Sequence, residues 1–557
     1  MKCSGAEIIV KLLERQGIET ISGIPGGANL PIYDALRDSR IHHVLARHEQ
    51  GAGFIAQGMA RSTGRVAVCF GTSGPGATNL LTAIADAKLD SIPIIAITGQ
   101  VPTSLIGTDA FQEVDTYGLT LPITKHNFLV QRARELFEVL PGSFKIAGSG
   151  RPGPVVIDIP KDIQTETVEF ERWPEPWKPK PQASCDPGDI ERIANMIHEA
   201  KRPVICLGGG IIASGCSEAL IEMAKKNSIP VTSTLMGLGC FPPDDPLFLG
   251  MVGMHGARYT NYILEEADLL LAFGVRFDDR ATGNVREFCK HASIIHIDID
   301  HSEIDKIKAS NLSMVCDVGS VLQNLVPEIK ADRRLDWNSR VAWLKAEYPA
   351  VSPATDSLLH PVNLLSQVSK RVEPDTIITT DVGQHQMWVA QTYPFRYPRT
   401  FLTSGGLGTM GFGVPVAIGA ALANPDRKVV CISGDGSFLM NIQELATMAE
   451  QNLNITIIIM NNNHLGLVRQ QQELFYNKRI YAVKFDSSPD FAAVAEGFGV
   501  SAYDLKRSRD PVKTLSLALS APGPSVVNAP IDVHANVYPM VPPGAANREM
   551  IGGEAHA

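Results

Sequence analysis

The sequence predicts an α/β protein of three doubly wound parallel-sheet domains, the two outer ones related to each other. Three observations carry that reading. Short apolar strands alternate with helical patterns along nearly all of the 557 residues, a length too great for one core. Near both ends a strand runs into a glycine-rich turn and then a helix, at Ser73-Gly74-Pro75-Gly76 and at Ser433-Gly434-Asp435-Gly436, a faint internal repeat. A proline-rich stretch at 171–188 reads as an extended linker, and a less patterned stretch at 331–360 separates a middle unit from the last. The expected domains are 1–170, 188–335 and 360–557.

The chain opens on MKCSGAEIIVKLLERQG, which reads as an amphipathic helix ending at Gly17. Lys11 and Glu14 interrupt its apolar run, so it is no signal peptide, and no window is apolar enough to span a bilayer. Residues 20–23 form a strand and 30–37 a helix in this reading. A strand near 44–46 delivers Arg47-His48-Glu49-Gln50 to a loop. Residues 66–70 lead into Thr72-Ser73-Gly74-Pro75-Gly76-Ala77-Thr78-Asn79 and a helix, and 93–98 form a further buried strand. The middle unit has strands near 203–207, 230–234, 269–273 and 293–297, and the last has them at 376–380, 429–432 and 455–460.

Hydrophobic residues make up 44% of the chain and charged residues 20%, the composition of an ordinary soluble globular protein. The formal net charge of −9 comes from scattered acids, which argues against nucleic acid or an anionic membrane as partner. Nine cysteines lie far apart with no C-x-x-C pair, and Cys69, Cys206 and Cys431 sit inside apolar runs. Reduced, buried thiols of a cytoplasmic protein are expected.

The chemistry concentrates at 429–466. Two apolar strands end in Ser433-Gly434-Asp435-Gly436 and in Asn461-Asn462, at the carboxyl ends of neighbouring parallel strands, where open α/β sheets hold ligands. Asp435 and an Asn amide are hard oxygen donors that suit Mg²⁺ shared with phosphates. The glycines let the backbone approach a diphosphate, and a helix starting near Ser437 points its free N–H groups at it. Twenty-four residues separate Gly436 from Asn461, which resembles the GDG–NN signature of thiamine-diphosphate enzymes. Asp381-Val382-Gly383-Gln384-His385-Gln386 opens another helix after a strand. In the glycine-rich loop Ser404-Gly405-Gly406-Leu407-Gly408-Thr409-Met410-Gly411, Met410 is more often a packing residue, but its polarizable side chain can wedge between two rings.

In the middle unit, Gly208-Gly209-Gly210, Phe273-Gly274-Val275-Arg276-Phe277-Asp278-Asp279-Arg280 and Asp298 each follow or end a strand. Alternating charges usually form surface ion pairs, and His291, His296 and His301 lack the spacing of a metal site. Together these strand ends suggest a nucleotide-sized cofactor. Glu49, taken alone, reads more often as a solvated loop acid.

Over essentially its whole length the sequence resembles the large catalytic subunits of acetohydroxyacid synthase (acetolactate synthase). The resemblance is carried by RHEQGA at 47–52, SGPGATN at 73–79, IGTDAFQEVD at 106–115, TKH at 124–126, SGRPGPV at 149–155 and GMHG at 253–256. It continues with RFDDR at 276–280, TTDVGQHQMW at 379–388, SGGLGTMGFG at 404–413, GDGS at 434–437 and YPMVPPGA at 538–545. It implies an aminopyrimidine-binding domain, a central FAD domain and a diphosphate-binding domain, in a homodimer or homotetramer with active sites between subunits.

By the same resemblance Glu49 activates the cofactor, a task that suits a desolvated carboxyl, and Met410 props thiamine diphosphate in a bent shape. Asp435, Asn462 and the backbone carbonyl of His464 would hold Mg²⁺. Gly383, Gln384, His385, Gly436 and Ser437 would contact the diphosphate, with Gly408 beside the same cofactor. Gln112 and Lys125 would line the substrate entrance. A structural, non-redox FAD would be contacted by Arg151, Thr234, Leu235, Met254, His255, Gly274, Arg276, Asp278, Arg280, Asp298, Ile299 and Asp317. The implied reaction decarboxylates pyruvate and joins the two-carbon remainder to a second pyruvate or to 2-ketobutyrate, the first common step of valine, leucine and isoleucine biosynthesis. The family often has a small regulatory subunit.

One position departs from the pattern. Where the family usually carries Trp, this chain has Gln471, and losing the indole removes an apolar contact for the extra methyl of 2-ketobutyrate, worth about 1–3 kcal/mol. A weaker preference for that acceptor follows. Of related enzymes, pyruvate oxidases pass electrons to FAD, and glyoxylate carboligases lack the glutamate present here as Glu49. RFDDR and GTDAFQEVD favour the synthase, and intact Glu49, Asp435 and Asn462 argue against a non-catalytic homologue.

Overall fold

The computed structural model describes residues 1–179, 185–350 and 355–552. Three six-stranded sheets, each wholly parallel, organise them. The first holds β1 (Thr20–Gly23), β2 (His42–Leu45), β3 (Ala67–Gly71), β4 (Ile94–Gln100), β5 (His126–Leu129) and β6 (Val155–Pro160) in the order β2-β1-β3-β4-β6-β5. The second holds β7 (Pro203–Leu207), β8 (Val231–Ser233), β9 (Phe248–Met251), β10 (Leu269–Phe273), β11 (Ser293–Asp298) and β12 (Leu312–Val315) in the order β9-β8-β7-β10-β11-β12. The third holds β13 (Ile377–Thr380), β14 (Phe401–Leu402), β15 (Val429–Gly434), β16 (Ile455–Asn461), β17 (Ser501–Asp504) and β18 (Ser525–Pro530) in the order β14-β13-β15-β16-β18-β17. The outer sheets share one strand order, as the repeated turn motifs lead one to expect.

The chain entry is fixed twice. Lys2–Ser4 pairs antiparallel with Thr167–Glu169, and Ser4 and Glu7 form a capping box on the helix Gly5–Arg15. The outer domains then share a core through the helices Glu49–Thr63 and Gly413–Ala423. Gly58 and Gly419 let these backbones touch, since a Cβ on either would collide with the carbonyl of Val416 or Ile55. Phe54 and Phe412 meet edge-on beside them, with ring centroids 5.3 Å apart.

Four local expectations need correction. Glu49 lies not in a loop but at the first position of the helix Glu49–Thr63, because the His48 side chain accepts the Gln50 N–H and caps it. The helix expected near Ser437 begins at Asp435, lasts only to Phe438, passes through a 3-10 turn at Leu439–Asn441, and resumes as Glu444–Glu450. The stretch 331–360 contains a helix, Leu335–Glu347, whose Trp337, Val341 and Leu344 are buried on the central domain. Trp337 Nε1 donates to the Pro203 carbonyl at 3.0 Å, which ties that helix to β7. The linker at 171–188 is irregular to Pro179, its residues 180–184 lie outside the described ones, and Pro187 already opens the helix Pro187–Glu199. Trp173 and Trp177 pack on the first-domain core.

All nine cysteines are unbridged, six of them buried. Among the described residues no helix is long and apolar enough to cross a membrane.

Candidate active site

A cleft opens at the carboxyl ends of β13, β15 and β16. β15 and β16 pair in parallel up to Gly434 and Met460, which sets Asp435 beside Asn461 and Asn462. Asp435 is buried: its Oδ1 accepts the Gly436 N–H at 3.0 Å, and its Oδ2 has no partner. Desolvation pushes this carboxyl up to about 6, against the pull of backbone donors. An unpartnered buried carboxylate oxygen in a cleft fits a cation. Asn462 Oδ1 accepts the His464 N–H at 3.0 Å, closing a tight turn in the cleft wall. One carboxylate, one amide and one carbonyl leave room for the phosphate oxygens and waters that Mg²⁺ prefers. No cluster of three His, Cys, Asp or Glu occurs among the described residues, so a closed zinc-type site has no counterpart here.

The rest of the cleft is shaped for a large, partly anionic group. A Cβ on Gly436 would meet Leu465 Cδ2 at 2.7 Å, and one on Gly466 would collide with Gln384 Oε1. Gln384 Nε2 donates to Gln470 Oε1 at 2.9 Å, and Ser437 Oγ donates to the Val382 carbonyl at 3.0 Å. His385 is buried with Nε2 unpartnered, and desolvation drives it down to about 3, so it stands as a neutral imidazole. Met410 lines the cleft, two residues after Gly408, whose φ of +69° turns the loop.

Every lining residue belongs to the last domain. Glu49 instead sits with first-domain groups: its Oε2 accepts from Asn79 Nδ2 at 2.9 Å. Gln112, at φ 60°, lies directly on the Ser73–Gly76 turn, so close that a Cβ on Gly74 would stand 2.9 Å from its Cα. Glu49 and Gln112 thus lie outside the residues that line the cleft. Lys125 Nζ donates to the carbonyls of Ile146 and Ser149 at the end of the helix Leu136–Gly148, and burial lowers it to about 8. Its charge thus serves a helix C-terminus. Gln471 is half-buried on the helix Gly466–Phe475, one turn beyond Leu467 and Val468 of the cleft wall.

Models of thiamine pyrophosphate enzymes match residues 3–119 (N-terminal TPP binding domain), 190–325 (central domain) and 381–529 (C-terminal TPP binding domain). The chain is 56% identical to the acetolactate synthase isozyme 1 large subunit of Escherichia coli, across 99% of this chain and 98% of that one. It is 45% identical to the isozyme 2 large subunit of the same organism, across 98% and 99%. A probable acetolactate synthase large subunit of Methanocaldococcus jannaschii is 48% identical across 97% and 94%. This chain belongs to the acetolactate synthase large-subunit family. It is a thiamine-diphosphate enzyme, and its activity is acetolactate synthesis.

In an acetolactate synthase the middle domain calls for its own account. Its strand order, 3-2-1-4-5-6, is that of doubly wound sheets that bind dinucleotides at the carboxyl edge. Thr234, Leu235, Gly274, Arg276, Asp298, Ile299 and Asp317 all follow or end strands on that edge. Most polar groups there already have protein partners. Asp278 Oδ1 accepts the N–H groups of Arg280 and Ala281, both at 3.1 Å, and Asp298 Oδ1 accepts Asp300 N–H at 2.9 Å. Asp317 Oδ1 accepts from Ser214 Oγ and Ser320 N–H, and Arg276 donates to the Leu89 carbonyl. Arg151 reaches from the first domain to Asp300 at 3.2 Å and Glu303 at 2.5 Å. Gly274 packs against Gly210, so this glycine pair first of all lets two strand-end loops meet. Arg280 approaches Met254 Sδ at 3.9 Å. His255 is the exception: it is buried, desolvation lowers it to about 4, and its Nδ1 has no partner, which fits a polar ligand at this edge.

Sequence reasoning missed Trp388, Met460 and Ile531 in the cleft wall and the Asn79 bond to Glu49. The first three are apolar residues with no chemical signal. Asn79 was visible in SGPGATN, and its place in the first turns of the Pro75–Leu89 helix was the only available hint.

Proposed function

We propose that this acetolactate synthase joins two molecules of pyruvate to 2-acetolactate, or pyruvate and 2-ketobutyrate to 2-aceto-2-hydroxybutyrate, for branched-chain amino-acid biosynthesis in the cytoplasm. The observation that supports the reading is the buried Asp435, whose Oδ2 is unpartnered in the cleft, while Glu49, held by Asn79, lies outside the cleft lining. A second copy of the chain completes each site, in a homodimer or homotetramer. Phe111 (87% exposed) and Leu121 on the Glu49 side and Tyr481 (84% exposed) and Tyr476 on the cleft side are large apolar surfaces that such a copy would cover.

Asp435, Asn462 and the His464 carbonyl hold Mg²⁺, and Gly383, Gln384, His385, Gly436 and Ser437 receive the diphosphate. Bound thiamine diphosphate supplies a carbon nucleophile and an electron sink for decarboxylation. Glu49, from the facing subunit, holds a proton at the aminopyrimidine ring. Met410, in the cleft wall, would pack against the cofactor's rings. Gln112 orients the 2-keto acids at the entrance, Lys125 lines it while its ammonium holds the end of the helix Leu136–Gly148, and Gln471 shapes the acceptor's side-chain pocket. FAD occupies the carboxyl edge of the middle sheet with a structural role, and a small regulatory subunit binds the assembly.

The test is acetolactate formation from pyruvate with Mg²⁺, thiamine diphosphate and FAD, each omitted in turn. Product requiring all three without oxygen or an electron acceptor is expected. Acetate or peroxide, appearing only with an acceptor, would establish a redox-active flavin instead.

A further inference from the structure

Glu49 and the Met410 loop are each held by buried carboxylates from the opposite end of the chain. Glu444, on the last-domain helix Glu444–Glu450, is 0% exposed. Its Oε1 accepts the backbone N–H groups of Arg47 at 3.0 Å and His48 at 3.1 Å, the two residues before Glu49. Thr447 Oγ1 donates to its Oε2 at 2.7 Å, and Gly51 lies so close that a Cβ there would collide with the same carboxyl.

The return contact comes from the first domain. Asp86 Oδ2 accepts Thr409 Oγ1 at 2.9 Å and also the Ser404 hydroxyl, which in turn accepts the Thr409 N–H at 2.9 Å. Asp90 accepts the N–H groups of Gly405 at 3.0 Å and Gly406 at 2.7 Å. Arg61 donates to both aspartates at 2.9 Å. It lies near the end of the same helix that Glu49 begins.

None of these carboxylates lines the cleft. Three buried acids and one arginine between domains cost desolvation that an apolar core would avoid. What they provide is directed bonds to backbone N–H groups and hydroxyls, which fix a loop's place where apolar packing only fills space.

We propose that Glu444 and the Asp86–Asp90 pair are positioning residues for the reaction: Glu444 sets Glu49, and the two aspartates set the loop that presents Met410. The proposal rests on the reading of Glu49 and Met410 as the groups that face thiamine diphosphate.

The experiment uses the full chain and two mild variants, Glu444→Gln and Thr409→Val. Thiamine diphosphate with Mg²⁺ is titrated against tryptophan fluorescence, for which Trp388 in the cleft wall is a reporter. Exchange of the cofactor's C2 hydrogen in D₂O is followed by NMR, and Tm is recorded. Thr409→Val is expected to weaken cofactor affinity about 5–10-fold, and Glu444→Gln to slow C2 exchange at least about tenfold with affinity nearly unchanged. Tm should hold within about 2 °C in both. Affinity unchanged in the first variant, exchange unchanged in the second, or changes seen only alongside a lowered Tm would each overturn the proposal. Wild-type protein that fails to bind the cofactor would overturn the reading of the site instead.

Discussion

Asn79 Nδ2 donates to Glu49 Oε2 at 2.9 Å, so the carboxylate that begins one helix is held by the helix that follows the Ser73–Gly76 turn. A carboxylate held in this way presents one oxygen in a fixed direction and keeps the other free. Asn79→Ala should lower kcat about tenfold with little change in the pyruvate KM, because ground-state binding is untouched. Glu49→Gln should lower it at least about a hundredfold while cofactor binding persists. Steady-state kinetics beside a fluorescence titration of thiamine diphosphate checks both. Equal losses of binding and turnover would assign Glu49 a role in holding the cofactor rather than in proton transfer.

Asp435 should matter for binding first. With its Oδ2 unpartnered, the protein has left a buried acceptor that only a ligand satisfies. Asp435→Ala is expected to abolish Mg²⁺-dependent cofactor binding, and chelation of Mg²⁺ from wild-type protein should do the same reversibly. Isothermal titration with and without chelator measures this. Undiminished binding in the variant would move the metal site elsewhere.

Much of this site was legible because parallel α/β sheets bring chemistry to strand ends, and strand ends are visible in sequence. Gly383, Asp435 and Asn462 each follow an apolar run, and the structure gathers their neighbourhoods into one cleft. The helix Leu335–Glu347 was not legible, since Leu335 and Trp343 are exposed apolar residues that blur its buried stripe of Trp337, Val341 and Leu344. Nor was the position of Glu49 at a helix start, because the cap is an imidazole, outside the usual Ser, Thr, Asp and Asn. The tethers through Glu444, Asp86 and Asp90 join residues more than three hundred positions apart, and no local pattern encodes them.

Asp158 gives a pH dependence of stability unrelated to catalysis. It is 2% exposed on β6, accepts Thr98 Oγ1 at 2.6 Å and Gln100 Nε2 at 3.0 Å, and burial pushes it up to about 7. The nearby Asp115 adds to the rise. An unfolded aspartate titrates near about 3.9. Between these values the native state holds a proton that the unfolded chain has released, so stability is greatest below the lower value and declines as pH rises through about 7. The span corresponds to a few kcal/mol, on the order of 1.4 kcal/mol per pH unit. In thermal melts of wild type and Asp158→Asn from pH 5 to 8, wild type should lose stability relative to the variant as pH rises towards about 7, with the gap levelling off above it. Parallel profiles would mean that Asp158 is ionised throughout.

Gln471 bears on the choice of acceptor. The helix Gly466–Phe475 sends Leu467 and Val468 into the cleft wall, and a helical step of three or four residues places Gln471 on the same face one turn on. Its neighbour Gln470 is fully buried and bonded to Gln384 and the Val537 carbonyl, so the two glutamines do different work. A half-buried amide at 471 offers the extra methyl of 2-ketobutyrate little apolar surface, and its polar end competes for water. A Trp there would bury that methyl against a flat ring. One methylene in a hydrophobic pocket is worth about 1–3 kcal/mol, so Gln471→Trp should raise the preference for 2-ketobutyrate over pyruvate about tenfold or more. The change should appear in the product ratio of a competition assay, with the rate on pyruvate alone altered little. A wild-type enzyme that already prefers 2-ketobutyrate strongly, or a variant with an unchanged ratio, would place acceptor selection on other residues of the cleft.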